Sequence, residues 1–252
     1  MGLTLNYRLR VRANVTAAAI PALVAAMHAA AWTMQRAGRL DEVSAMGSEP
    51  EDLFWHSEWL QVRVPGEENT CRGIEVPASE GRVFAVSLGE GCEPLRLGLC
   101  RYPEQVIDPI TGKSRTVRRR GWRLAGFCKT QYASLHGWEH FHRVHTTAVE
   151  LLIGLRALGL RVKVMDEGGY WPGRNAVELR RQLERMNGLV AAFAGALKDA
   201  TEDADSPPLQ APIFAHPHFE RLEAAGAEQE GAAITQAVKL IRRSRPPGRN
   251  VT

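Results

Sequence analysis

Cysteine is scarce in this chain of 252 residues, and its few cysteines follow no metal-binding or redox spacing. They are Cys71, Cys92, Cys100 and Cys128. No two of them are spaced as C-x-x-C, which argues against a zinc knuckle or a thioredoxin motif. Four cysteines in a chain of this length do not form a disulfide scaffold, so we expect reduced thiols and a cytoplasmic location.

Long apolar runs are also missing. No stretch of about 18 consecutive apolar residues occurs, so the sequence predicts no membrane span and no membrane partner. The most apolar stretch, Ala17–Trp32, contains Pro21 and His28 and follows a charged, strand-like segment. That order fits a secretory signal peptide poorly, because such a signal places its charges directly before the apolar core.

Signature motifs of well-understood enzymes are a third absence. The chain contains neither the glycines of a phosphate-binding loop, GxxxxGK[ST], nor the HExxH signature of zinc proteases. No reaction can therefore be named from a motif. Candidate sites have to be sought among polar clusters that follow predicted strands, where a rigid scaffold holds exposed backbone.

The basic excess is local rather than spread along the chain. The formal net charge is +4 and the isoelectric point is about 9.0. Arg118, Arg119 and Arg120 form the centre of one cluster, and Arg242 and Arg243 form the centre of another near the C-terminus. Such clusters either bind phosphates and acidic proteins or belong to solvated loops and tails. We favour the solvated interpretation, because neither interleaved aromatic residues nor a helix-turn-helix pattern accompanies them.

Hydrophobic periodicity predicts an α+β fold. Residues 3–12 alternate between apolar and polar side chains, as in a half-buried strand, and a helix follows to about Arg36. Residues 40–130 contain several short strand-like runs separated by turns, and consecutive strands without intervening helices favour antiparallel pairing. Helical spacing dominates after residue 137, apart from a strand at Leu160–Met165.

This order of elements predicts one mixed, mainly antiparallel sheet with helices packed largely on one face. A duplicated ferredoxin-like arrangement is an alternative that the order also permits. Residues 1–200 are expected to form a single α+β domain. Residues 201–252 begin with an acidic, proline-containing segment and are expected to be a linker and a basic, partly disordered tail, with a helix near Ala232–Arg243.

The most informative segment is Asp-Glu-Gly-Gly-Tyr-Trp, which directly follows the last predicted strand. Its two glycines would let a turn bring Asp166 and Glu167 round together, as ligands of a divalent metal or as a general base. Tyr170 and Trp171 could stack on a planar ligand, and Arg174 could bind an anion. The structural alternative is a capped turn whose aromatic rings fill the edge of the core.

Histidines are concentrated in one short stretch, which holds four of the eight in the chain. The four are His136, His140, His142 and His145. Glu139 and His142 have the spacing of a Glu-x-x-His metal-ligand pair, but no second such pair is visible. A surface or helix-capping cluster is therefore favoured, and no metal ligands are assigned. His145 begins the apolar face of the predicted helix and could donate a hydrogen bond to Asp166 or Glu167.

Two other strand ends supply candidate ligand-binding groups. Lys129 and Gln131 offer hydrogen-bond donors for phosphate, carboxylate or amide groups just beyond a predicted strand. Cys128 and His145 would suit a thiolate nucleophile and its base, although a lone cysteine in a strand is more often a small buried hydrophobe. Arg101, at the end of another strand, could pair with the Asp-Glu segment or with a bound anion. An internal salt bridge is the alternative for this arginine.

Four segments together resemble a group of uncharacterised bacterial hypothetical proteins. They are GLTLNYRL near the N-terminus, then GLCRYP, FCKTQYAS and DEGGYW. The resemblance spans roughly residues 2–200 and implies a bacterial, cytoplasmic protein. It implies no particular activity, cofactor, substrate or catalytic residue.

Two functional hypotheses follow from these clusters. In the first, a strand-end pocket binds or hydrolyses an anionic substrate, for example a nucleotide-like one, with or without a divalent metal. Asp166 and Glu167 would be base or metal ligands, His145 a second acid–base group, and Lys129 or Arg101 the charge stabiliser. The pocket would gather Arg101, Lys129, Gln131, His145, Asp166, Glu167, Tyr170 and Trp171. In the second, the chain is a non-catalytic subunit of a larger assembly, whose arginine-rich segments bind nucleic acid or an acidic protein partner.

Overall fold

An antiparallel sheet is the centre of the fold. The computed structural model describes residues 3–12, 15–65, 70–201 and 209–244. The strands are β1 (Thr4–Arg10), β2 (Glu42–Val43), β3 (Leu60–Pro65), β4 (Cys71–Val76), β5 (Glu80–Ser87), β6 (Leu95–Arg101), β7 (Gln105–Ile107), β8 (Ser114–Thr116), β9 (Arg123–Lys129) and β10 (Arg161–Asp166). Six of them form the main sheet in the order β10-β1-β9-β6-β5-β2, while β3 with β4 and β7 with β8 form separate hairpins.

Five α-helices accompany these strands in the described residues. They are α1 (Ile20–Arg36), α2 (Pro50–His56), α3 (Trp138–Gly154), α4 (Ala176–Thr201) and α5 (Phe219–Ser244). Short 3₁₀ helices lie at Ala17–Ala19, Gln131–His136, Leu155–Leu158 and Pro212–Ala215. The predicted α+β class with a mainly antiparallel sheet is confirmed. Every pairing between the named strands of the main sheet is antiparallel.

The centre of the sheet follows a β-α-β-β-α-β order. The strands β10, β1, β9 and β6 are adjacent, and α1 and α3 are the two connecting helices. This is the order of one ferredoxin-like unit, with β5 and β2 extending it on one side. The predicted duplication of such a unit stays a prediction, because this order accounts for one copy only.

Alternating side chains divide the sheet into two faces. Along β1, Leu5 and Leu9 are fully buried, whereas Arg8 and Arg10 are exposed, because successive side chains of a strand point to opposite sides. The buried side packs against α1, where the His28 ring meets Phe84 of β5 edge-on. On that side α3 also packs against β10.

By its composition alone, α1 could be either a helix of the protein core or a membrane-spanning helix. The segment Ala17–Arg36 is long and apolar enough to cross a membrane. In the structure its residues Ile20, Val24, Met27 and Ala31 are buried at helical spacing. They belong to the same apolar cluster as the sheet residues Leu5 and Leu97 and others. The apolar stripe of α1 is therefore used in the core.

The other face of the sheet is only partly covered. The short helix α2 packs there on β5 and β6, with Leu53 beside Gly81. Over β10, β1 and β9 this face is largely exposed, apart from the buried Arg123 at the start of β9. We call this surface the open face, and its exposed members are Arg8, Arg10, Phe127, Arg161, Lys163 and Met165.

A helical hairpin follows the sheet. The helices α4 and α5 pack together through two small apolar clusters, one with Leu222 and one with Ile234 and Val238. The sequence predicted a helix only near Ala232–Arg243, but α5 begins at Phe219, because its apolar residues gain a partner surface on α4. The predicted linker and the end of the predicted tail, 202–208 and 245–252, lie outside the described residues.

Candidate functional site

The His145 imidazole and the Asp166 carboxylate meet between α3 and the end of β10. His145 Nε2 lies 3.2 Å from Asp166 Oδ1, and neither side chain has any exposed surface. The ring N–H does not point straight at the oxygen, so this is a close polar contact rather than a well-aligned hydrogen bond. On the other side of the ring, Nδ1 lies 2.8 Å from the hydroxyl of Thr130, which is also fully buried.

The remaining bonds of Asp166 hold the loop that follows it. Oδ1 accepts the backbone N–H of Gly168 at 2.7 Å, and Oδ2 accepts that of Trp171 at 2.8 Å. Burial tends to raise the pKa of Asp166, but the His145 ring and these two N–H groups outweigh it, so the pKa lies below its ordinary value. The carboxylate is therefore ionised at neutral pH and is used on both oxygens by the chain itself.

Glu167 does not join Asp166, which corrects the expectation of a carboxylate pair. Adjacent residues at a strand end point to opposite sides, and the turn does not reverse this. The Glu167 side chain is exposed, and its Oε2 accepts the backbone N–H of Thr4 at 3.0 Å. The Asp-Glu segment therefore offers a single buried acid beside His145, without a second carboxylate to share a metal ion or a proton.

Lys129 and Gln131 also lie apart from a shared pocket. Lys129 Nζ is 3.6 Å from Glu93 Oε1 and lies over the Phe127 ring. Gln131 is fully buried, where its Oε1 accepts the N–H of Leu3 and its Nε2 donates to Asn187. Both were predicted as ligand donors, but the fold uses them to tie secondary-structure elements together.

The Gln131 network includes a residue that the sequence prediction did not single out. Asn187 on α4 accepts from Gln131 at 2.8 Å and donates to Ser134 at 3.2 Å. Its position between Leu183 and Val190 places an amide on the buried stripe of the helix. A polar residue at an apolar helical position was the available signal, because such residues need partners inside the protein.

The aromatic pair of the loop packs inward. Tyr170 is buried and meets the His142 and His145 rings edge-on. Two guanidinium groups, those of Arg156 and Arg174, each lie within 6 Å of the centre of the Trp171 ring. Arg174 itself pairs with Glu150 at 3.4 Å. These contacts correspond to the structural alternative, in which the aromatic rings fill the edge of the core.

Arg101 lies at the wrong end of the sheet to join this cluster. Its neighbour Cys100 pairs with Arg123, at the start of β9. Asp166 pairs with Leu5, and Leu5 in turn pairs with Cys128, near the end of β9. Strand direction reverses at each antiparallel step, so equivalent strand ends alternate between the two edges of the sheet. The prediction that Arg101 approaches Asp166 is therefore wrong.

The predicted arginine clusters lie elsewhere on the molecule. Arg118, Arg119 and Arg120 are exposed after the β7–β8 hairpin, and two of them line a hollow of about 220 Å³ together with Arg101. Arg242 and Arg243 belong to the last turn of α5, and their side chains lie outside the described residues. A nucleic-acid role for either cluster stays a prediction.

The other reactive candidates do not form a reacting pair. The Cys128 thiol contacts the Glu93 carbonyl, and burial, with Cys92 and Glu93 nearby, raises its pKa well above the ordinary value. The His145 ring already contacts Thr130 and Asp166, so it is not the base of a Cys128 thiolate. Among residues with a described position, no group of three His, Cys, Asp or Glu side chains could hold a metal ion.

The Thr130–His145–Asp166 chain has the residue types of a nucleophile–base–acid triad, but its burial points to another role. A hydroxyl nucleophile has to reach a substrate, and Thr130 is fully enclosed. All three groups use their polar atoms on one another or on the neighbouring backbone. The arrangement joins β9, α3 and β10, which is a structural function.

The open face carries a basic hollow that the sequence prediction did not single out. It has a volume of about 500 Å³. Its lining residues are Arg8, Arg10, Arg12, Arg156, Leu160, Arg161, Val162 and Lys163. The signal was present in the alternating Arg-x-Arg-x-Arg at 8–12, which starts in β1 and continues just past its end, but only the pairing with β10 brings the second basic row beside the first.

No family model matches the chain, and no protein of curated function and no solved structure matches it either. The resemblance to bacterial proteins stays a prediction. What the chain can do therefore depends on the geometry of the buried His145–Asp166 contact and of the basic hollow on the open face.

Proposed function

We propose that this chain binds nucleic acid through the open face of its sheet, by contacts to the phosphate backbone. One observation carries the proposal. Six of the eight residues that line the basic hollow are arginine or lysine, and no described carboxylate is among them. A concave surface of one charge raises the local concentration of an oppositely charged ligand.

The basic residues are placed at a cost to the fold, which supports a role in binding. Arg8 lies directly opposite Lys163, and Arg10 lies directly opposite both Arg161 and Arg123. Like charges in such cross-strand positions destabilise a sheet by roughly 0.2–1 kcal/mol per pair. None of Arg8, Arg10, Arg161 and Lys163 forms an ion pair with a described carboxylate. A bound row of phosphates would supply the missing counter-charge.

The role that we propose is binding rather than catalysis. The imidazole and carboxylate of the first hypothesis are enclosed by the protein, so its hydrolytic mechanism gains no support from the geometry. The second hypothesis, a non-catalytic nucleic-acid-binding subunit, fits better, with the open face in place of the predicted arginine clusters. A cytoplasmic location belongs to the same proposal and is supported by four free cysteines.

The test is the salt dependence of binding to a labelled oligonucleotide, followed by fluorescence anisotropy. Changing Arg8, Arg10 and Lys163 together to Gln removes three charges from the open face. We expect weaker binding at low salt and a slope of log K against log salt that is smaller by about 3.

The matched control is the triple change of Arg118, Arg119 and Arg120 to Gln. It removes the same charge from an exposed segment outside the hollow. If this control weakens binding while the open-face variant does not, the predicted arginine cluster is the interface and the open face is not. If the unmodified protein shows no salt-dependent binding to any oligonucleotide, the proposed function is wrong.

A further inference from the structure

A second hollow adjoins the basic one on the open face. It has a volume of about 510 Å³, within the range of roughly 300–1,000 Å³ that is typical of ligand pockets. Arg8 and Lys163 line both hollows, so the two form one continuous surface. The lining of the second hollow differs in kind, because it also includes Trp59, Phe127 and Met165.

A split in the sheet forms the floor of this second hollow. Among the described residues, β6 and β9 share a single register pair, Cys100 with Arg123, and then separate. The Tyr7 side chain bridges the gap, since its hydroxyl donates to the Arg96 carbonyl at 2.6 Å and accepts the Arg96 N–H at 3.1 Å. Gly126 makes room for it, because a Cβ there would lie 2.5 Å from the Tyr7 hydroxyl oxygen.

The apolar groups of this hollow are left in contact with solvent. Phe127, on the interior strand β9, is 50% exposed, and Met165, on the edge strand β10, is 58% exposed. Apolar side chains that cluster at a concave surface mark binding sites more often than isolated ones do. Among the described residues, Glu58 is the single carboxylate that lines this hollow, and it lies 3.5 Å from Arg123, so the charge of the hollow remains basic.

Aromatic side chains beside a row of cations suit one class of ligand. Single-stranded nucleic acids bind proteins by stacking bases on aromatic rings while basic groups follow the phosphates. The exposed faces of four-stranded antiparallel sheets are used in this way for RNA. In a duplex the bases are stacked inside, so they could not reach Phe127 while the backbone occupied the basic hollow.

We infer that the second hollow receives an unpaired base stacked on Phe127 beside Trp59, so that the bound nucleic acid is single-stranded. The inference rests on the proposed function, since the phosphates of the same strand would occupy the basic hollow. It specifies that the ligand is single-stranded, and it assigns the contact with the base to Phe127 and Trp59. Phosphate contacts alone would not distinguish one strand from two.

The experiment compares three ligands of equal length at one salt concentration. They are oligothymidylate, an abasic deoxyribose-phosphate oligomer, and a DNA duplex. We expect oligothymidylate to bind the unmodified protein more tightly than the other two DNA ligands. Phe127→Ala should weaken its binding roughly 10- to 100-fold and leave the abasic oligomer unchanged. Phe127→Trp should retain tight binding, because it keeps a stacking surface.

The control for a lost apolar group is Ile107→Ala, which removes a side chain that is 70% exposed on the β7–β8 hairpin. It should change none of the affinities. If the Phe127→Ala variant binds the abasic oligomer as tightly as the unmodified protein does, the variant is folded. Equal affinity of the unmodified protein for oligothymidylate and the abasic oligomer would overturn the inference and leave the proposed function intact. Failure of every ligand to bind would overturn both.

Discussion

The two faces of the sheet use polar side chains in opposite ways. On the helix-covered face, Thr130, His145 and Asp166 are enclosed and contact one another. On the open face, Arg8 and Lys163 lie opposite each other in solvent, and neither has an ionic partner in the part of the chain that the structure describes. The buried set uses most of its polar atoms within the chain, as enclosed polar groups generally do, with His145 Nε2 held in a close contact with Asp166 rather than in an aligned hydrogen bond. The exposed set has unmet charge, and this is what a binding surface for an external anion requires.

The comparison changes the meaning of a conspicuous motif. The DEGGYW segment combines acids, glycines and aromatic rings, yet its buried acid holds a loop and its rings pack against neighbouring side chains. The arginines of β1 lie in an ordinary alternating strand. Their unusual feature is the second basic row beside them on β10. A polar residue therefore points to ligand binding chiefly when the fold leaves it without a partner.

The largest effect should come from removing the buried acid. Asp166→Ala leaves the N–H groups of Gly168 and Trp171 without their acceptor and removes the carboxylate beside the His145 ring. We expect it to reduce the free energy of unfolding by about 3–5 kcal/mol, measured by denaturant titration. The control is the same change at the next position, Glu167→Ala, which removes one partly exposed hydrogen bond and should cost about 1 kcal/mol. Equal losses at the two positions would contradict the contrast between a buried and an exposed carboxylate.

A smaller effect should appear in the pH dependence of stability. The fold lowers the pKa of Asp166 below its ordinary value of 3.8, so the native state favours the ionised form. This contribution is complete above the ordinary pKa and is lost as the pH falls through the lower, native one. The stability advantage of the unmodified protein over Asp166→Asn should therefore shrink on acidification, when unfolding free energies are compared between pH 7 and pH 3. An advantage that grows towards acid would show that the native carboxyl is protonated.

The smallest effect should have the opposite sign and come from the open face. Arg10 lies between Arg161 and Arg123, so Arg10→Thr should relieve repulsion and stabilise the protein by about 0.2–1 kcal/mol. The same change should weaken binding to oligonucleotides. The stabilisation should largely disappear in about 1 M salt, where exposed charges are screened.

A matched change in a paired arginine provides the control for this prediction. Arg180 forms an ion pair with Glu184 on the exposed side of α4. Arg180→Ala should therefore give no gain that depends on salt. A loss of stability in Arg10→Thr, measured by thermal unfolding at low salt, would mean that the basic rows are not a source of repulsion in the sheet.

Local patterns predicted much of the fold and part of the buried cluster. Alternation in residues 3–12 indicated β1 with its two faces, and the helical spacing after residue 137 indicated α3. A contact between His145 and Asp166 was among the expected contacts and is present. Glu167 and Arg101 were misplaced, because the first depended on the shape of a turn and the second on which edge of the sheet each strand end occupies.

The sequence by itself indicated the α+β class, several of the strands and helices, and which side chains share a face of a strand, because these follow from spacing along the chain. The tertiary structure decided which polar side chains are enclosed and which remain in solvent. That outcome depends on register between distant strands and on where the helices lie. The pairing of β1 with β10 places Arg8 beside Lys163, although 155 positions separate them in the chain, and no local pattern encodes such a neighbour.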